Sequence, residues 1–168
     1  MNTLQRWRLW LALSLLAALA ACSTPTLKPK ADTAQTQAFW SGRLSLKIDS
    51  TPPQSLSASF ELLGNAHQGE LLLLSPLGTT LGRLQWQPGQ ARLDQGDQHW
   101  QDSSVQALTE QLTGAPVPLE ALFEWLQGRP MSSQGWQVDL SQWSTHARLQ
   151  AERKQPEPYA LLKLQLDR

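Results

Sequence analysis

Few side chains in this 168-residue chain could do covalent or metal chemistry, and those few are scattered. His67, His99 and His146 fall in three different predicted turns or strands, none with a Cys, Asp or Glu at ligand spacing. Asp94 and Asp97 sit around a glycine in one hairpin turn, where carboxylates are ordinarily just solvated; acid–base catalysis would need partners that the sequence does not supply. There is no G-x-S-x-G nucleophile elbow and no G-x-x-x-x-G-K phosphate loop. The single cysteine, Cys22, excludes an internal disulfide and any CxxC or Cys/His zinc cluster. No catalytic residue, cofactor or metal is expected, and the chain does not read as an enzyme.

One short stretch does stand out. Ser75-Pro76-Leu77-Gly78 separates two apolar strand candidates, Leu71–Leu74 and Leu81–Trp86. Pro at the second position and Gly at the fourth suit a type I turn, because Pro presets its dihedral angle. Nothing in that geometry asks for an aliphatic side chain at Leu77, since turn tips ordinarily face water. Leu77 either folds back onto the core or is held out as a probe for something apolar, such as a lipid. The residues of the turn leave both readings open.

The elements that must carry this turn are mostly strands. Leu44, Leu46 and Ile48 alternate with Arg43, Ser45 and Lys47, and Leu56, Ala58, Phe60 and Leu62 alternate with serines and Glu61. Both patterns describe strands wet on one face and buried on the other. Leu71–Leu74 is apolar on both faces and is expected to be covered on both. Ala91–Asp94 and Gln98–Gln101 form a shorter hairpin, and three more strands follow residue 135, carrying Trp136, Val138 and Leu140, then Ala147, Leu149 and Ala151, then Ala160, Leu162, Leu164 and Leu166.

Between the two groups of strands the period switches to helical. Ser103 with Gln106 fits a capping box before the stripe Val105, Leu108 and Leu112, and Gly114 stops that helix. Pro118 opens a second helix with Leu119, Leu122, Phe123 and Leu126 on one face, closed by Gly128. The expected architecture is α+β: about nine antiparallel strands in a curved sheet, with two short helices as a cover. Such layers leave a hollow suited to acyl chains. Its candidate lining is Leu44, Leu46, Ile48, Phe60, Leu71, Leu73, Leu84, Trp86, Leu108, Leu112, Leu122, Leu126, Trp136 and Val138.

The N-terminal end bears on location. Arg6 and Arg8 precede an apolar run, Leu9 to Ala21, well short of the about 20 residues that a spanning helix needs. The run closes with Leu19-Ala20-Ala21-Cys22, which resembles the lipobox of bacterial lipoproteins. That resemblance implies cleavage before Cys22, lipidation of its sulfur and acylation of the new amino end. Ser23, where an Asp would imply retention in the inner membrane, implies transfer to the outer one. Residues 1–21 are thus expected to be a signal peptide, 22–37 a lipidated and flexible tether, and 38–168 the binding domain. The 14 basic and 14 acidic side chains balance, and losing Arg6 and Arg8 with the leader tips the remainder slightly acidic, so nucleic acid is not an expected partner.

Four stretches together resemble the LolB family, outer-membrane receptors of the lipoprotein-sorting pathway. They are the lipobox, Leu71–Thr80 with its Ser-Pro-Leu-Gly turn, Leu112–Leu119 continuing through Trp125-Leu126-Gln127-Gly128-Arg129-Pro130, and Gly135-Trp136-Gln137-Val138. The resemblance implies an incomplete β-barrel with a helical lid over an apolar cavity. It implies a lipid-anchored monomer facing the periplasm, which takes acylated lipoproteins from the soluble carrier LolA and inserts them into the outer membrane. It also implies that Ser75, Pro76, Leu77 and Gly78 form the membrane-insertion loop. Two stretches, Ala31–Phe39 and Pro130–Gly135, are shorter than the family's, which implies a smaller lid. The alternative reading is a structural outer-membrane lipoprotein that scaffolds an envelope complex.

Overall fold

The computed structural model describes residues 38–167; the expected signal peptide, Cys22 and the tether lie outside the described residues. Six strands come in succession, most of them alternating apolar and polar residues. These are β1 (Ala38–Ile48), β2 (Gln54–Gly64), β3 (Gly69–Leu74), β4 (Thr80–Gln87), β5 (Gln90–Gln95) and β6 (Gln98–Asp102). Two helices follow, α1 (Val105–Thr113) and α2 (Leu119–Leu126), then β7 (Trp136–Asp139), a one-turn helix α3 (Trp143–His146), β8 (Arg148–Arg153) and β9 (Ala160–Leu166).

All nine strands join one antiparallel sheet in the order β6-β5-β4-β3-β2-β1-β9-β8-β7. The β9 strand returns beside β1, with Leu44 opposite Leu164 and Leu46 opposite Leu162. The sheet is therefore one long meander in two parts, with β6 and β7 as its unpaired edges. The helical segment leaves from one edge and returns to the other. In doing so it lies across the apolar face: α1 packs on β4, β5 and β6, and Phe123 of α2 meets Trp40 of β1 edge-on at 5.4 Å and Trp86 of β4 at 6.3 Å.

The core lies between this face and the helices. Leu46, Phe60, Leu62, Leu73, Leu84 and Leu93 come from the sheet, and Leu108, Leu119, Leu122, Trp125 and Leu126 from the helical cover; all are buried. The fully buried Trp125 and Trp136 pack tilted, 6.4 Å apart. Each satisfies its indole N–H on a backbone carbonyl, Trp125 on Met131 at 2.8 Å and Trp136 on Pro116 at 3.0 Å, as a buried indole must. Arg153 continues the buried face of β8 past Ala151. Its guanidinium lies 5.9 Å from the Trp136 ring and donates to the Pro158 carbonyl, while its Nε has no partner.

Three local expectations need correction. The cap of α1 is Ser104, whose Oγ accepts from the Ala107 amide at 3.3 Å. The start is one residue later than Ser103 because Asp102 already holds the Ser104 amide, so no capping box forms with Gln106. The β3 strand is buried on one face only. Leu72 and Leu74 are half-buried on the other, with Leu72 flanked in register by Glu61 and Arg83, whose long side chains supply what shielding it has. The third correction is α3, a single turn that the periodicity did not signal because four residues carry no period.

Candidate functional site

The turn between β3 and β4 is built around Ser75. Its carbonyl accepts from the Gly78 amide at 2.9 Å, and its amide donates to the Thr79 carbonyl at 2.7 Å. Its hydroxyl accepts from the amides of Leu77 and Thr79, at 3.3 and 3.1 Å. Pro76 has no amide to satisfy, so every backbone donor from 75 to 79 is accounted for. Gly78 has φ +83°, which reverses the chain without strain. On the β4 side the register shifts by one residue at Leu81, a bulge that sharpens the local bend. At the tip of this tied loop Leu77 is 95 % exposed, so of the two sequence readings the outward one describes the structure. The signal that sequence reasoning passed over was Ser75, which closes the loop from inside.

Between sheet and helices lies an apolar cavity of about 40 Å³. It is walled by Leu44, Leu46, Phe60, Leu62, Leu71, Leu162 and Leu164 from the sheet and by Thr109, Thr113, Val117, Leu119, Leu122 and Leu126 from the helical cover. The two threonines contribute methyl surface, because their hydroxyls donate to the carbonyls of Val105 and Thr109 within α1. The space is far below the about 300–1,000 Å³ of pockets that enclose a small molecule, so as described it holds no acyl chain.

The structure brings Leu44, Leu46, Phe60, Leu71, Leu122 and Leu126 to this wall, six of the residues expected there. It does not bring Ile48, Leu73, Leu84, Trp86, Leu108, Leu112, Trp136 or Val138. Of these, Val138 is half-buried on β7 and the rest are core. The reason is packing: α1 closes directly onto β4, with Leu112 so near Gly82 that a Cβ there would meet its Cδ1 at 2.4 Å. The hollow survives only where the cover meets β1, β2, β3 and β9.

The titratable side chains gather little. One expectation about them is overturned: His99 does have an acidic neighbour, because the β5–β6 hairpin sets it opposite Asp94, with Nδ1 2.6 Å from the carboxylate. Arg92 donates to the same carboxylate at 2.8 and 3.0 Å. Burial pushes the Asp94 carboxyl up, but the hydrogen bonds from His99 and Arg92 outweigh it and hold the group below the usual carboxylate range. Arg92 and His99 are exposed and Asp94 is half-buried between them. Among the described residues no group of three or more His, Cys, Asp or Glu side chains is placed to hold a metal.

Against known proteins, residues 37–157 match the family described as outer membrane lipoprotein LolB. Among curated relatives, the chain is 32 % identical over 164 residues to the outer-membrane lipoprotein LolB of Bordetella petrii, covering 84 % of this chain and 82 % of that one. It is 34 % identical over 145 residues to the protein of the same name from Chromobacterium violaceum, covering 76 % and 79 %.

Proposed function

The chain belongs to the LolB family of outer-membrane lipoproteins, and from that premise we propose that it is a receptor which receives acylated lipoproteins and inserts them into the outer membrane. Its donor is a soluble periplasmic carrier of the LolA type, and the receptor works as a monomer, tethered through lipidated Cys22 and facing the periplasm. The observation that carries this reading is Leu77, an aliphatic side chain held in water by a loop whose own hydrogen bonds fix it there.

Energetics favour a passive device. Each buried methylene is worth about 0.8 kcal/mol, so an acyl chain of ordinary length contributes on the order of 10 kcal/mol. Cargo moves downhill if the receptor holds such chains better than the donor does and worse than a bilayer. The resting cavity of about 40 Å³ requires that α1 and α2 part from the sheet as chains enter. Their contact with the cavity wall is leucine, valine and threonine methyl surface, which is non-directional and re-forms equally well on an acyl chain. Leu77 then enters the bilayer edge and lowers the barrier to release.

The test is Leu77→Glu in a transfer assay with donor carrier, receptor and outer-membrane vesicles. The variant is expected to accept cargo at the parent rate and to retain it, cutting delivery at least tenfold, with an unchanged melting temperature because Leu77 is exposed. Normal delivery would remove the loop from the mechanism. The scaffolding alternative needs a broad external apolar face. Among the described residues the exposed large apolar side chains are Leu77 and the cross-strand pair Phe39 and Leu63.

A further inference from the structure

We propose that the outer face of β1, β9 and β8, opposite the apolar cavity, is a docking trough for the phosphate headgroups of anionic phospholipid. A groove of about 530 Å³ runs there, floored by polar side chains of the three strands and walled by the segment that follows β7. Arg43 on β1 and Arg148 on β8 both stand opposite Gln165 of β9, and Lys163 lies two residues along β9 on the same face. Strand spacing of about 4.8 Å and a rise of about 3.4 Å per residue put the three cations within about 10 Å of one another.

Of the six other cations among the described residues, four are paired, Arg153 is buried beside Trp136, and Lys47 is exposed on β1 outside the groove. Arg83, Arg92, Arg129 and Lys154 each have a carboxylate oxygen within 3.0 Å. Arg43, Arg148 and Lys163 are exposed and, among the described residues, have no carboxylate partner. The one acid lining the groove, Asp139, is engaged by the Ser141 amide at 2.8 Å. Arg148 is also aimed. Its Nε donates to the Gln165 side-chain oxygen, and the Gln165 nitrogen is itself tied to the His146 carbonyl at 2.9 Å, which leaves the terminal guanidinium nitrogens for a ligand. An arginine held in this way suits an oxyanion with several acceptor oxygens. In a protein that belongs to a lipoprotein family of a membrane surface, the abundant anion of that kind is a lipid phosphate. The site rests on that placement but not on cargo transfer.

The experiment uses the mature chain, residues 22–168, with Cys22→Ala so that no acyl anchor contributes, and co-sedimentation with phosphatidylcholine vesicles with or without phosphatidylglycerol. Binding is expected to need phosphatidylglycerol and to weaken as salt rises. Each cation removed should weaken it about fivefold, so the triple variant Arg43→Gln, Arg148→Gln, Lys163→Gln should lose on the order of 100-fold. Lys163→Glu alone should lose at least as much as one neutral change, which covers a triple variant that fails to fold. Arg83→Gln, outside the groove, should bind as the parent does. Leu77→Glu should keep the phosphatidylglycerol preference, which separates failure of the trough from failure of the insertion loop. Equal binding to neutral vesicles would overturn the proposal, as would competition by millimolar inorganic phosphate at constant ionic strength, which would assign the trough to free phosphate. So would trough variants that bind vesicles normally but no longer accept cargo, an outcome that assigns the cations to an acidic protein surface.

Discussion

Exposing a leucine completely forgoes the about 1.5–3 kcal/mol that burying it would contribute, yet the loop around Leu77 uses six backbone hydrogen-bonding groups to keep it out. The same quantity is recovered whenever the side chain meets hydrocarbon, so it measures the pull of the loop toward a bilayer. Asp94 is a contrasting residue, polar and fully partnered on the surface. Its carboxyl lies below its ordinary value in the folded chain, so its contribution is complete above the unfolded value near about pH 4 and is lost as pH falls through the folded one. Asp94→Asn should therefore lower the urea midpoint at neutral pH, and the difference from the parent should close on acidification below about pH 4. A difference that is constant from about pH 7 to about pH 3 would show that the pairing with Arg92 and His99 adds nothing. At this scale the sequence was half legible. Pro76 and Gly78 announced the turn, but the direction of Leu77 depends on a serine hydroxyl reaching two amides, a contact that no pattern encodes.

Elements were easier to read than contacts. Two-residue alternation located β1, β2 and β9 because each keeps one wet face, and Gly114 and Gly128 marked where the helices end. What the patterns could not show is which buried residues border empty space. Leu84 and Leu112 have the same apolar alternation or stripe as Leu46 and Leu122, but α1 reaches β4 closely enough to fill the gap between them. Closeness of another kind governs the β1–β9 ladder that joins the two parts of the meander. Gly42 sits so near the backbone of β9 that a Cβ would lie 2.2 Å from the Gln165 carbonyl oxygen. Gly42→Ala should accordingly destabilise the domain by about 1–3 kcal/mol in urea unfolding, since the obstacle is main chain that cannot rotate aside. A change below about 0.5 kcal/mol would mean that the two strands part locally at no cost.

For the molecule as a whole, function turns on how an interior with about 40 Å³ of free space admits cargo many times larger. The helices pack on the sheet through side chains, whereas neighbouring strands are joined by ladders of backbone hydrogen bonds, so the cover is the part that yields. Amide hydrogen exchange on adding an acylated peptide should change in α1, α2 and the 114–118 connection and leave the β1–β2 and β1–β9 ladders protected as before. Exchange rising first in those central ladders would mean that the sheet itself opens. The order β6 to β7 also has a mechanical consequence. Because, among the described residues, no ladder joins these two edges, the sheet is left with a seam, which the chain crosses in sequence through the helical span. Widening it stretches nothing that is hydrogen-bonded strand to strand. On the proposed reading capacity is elastic: room is made to the measure of what arrives instead of being kept as an empty hold.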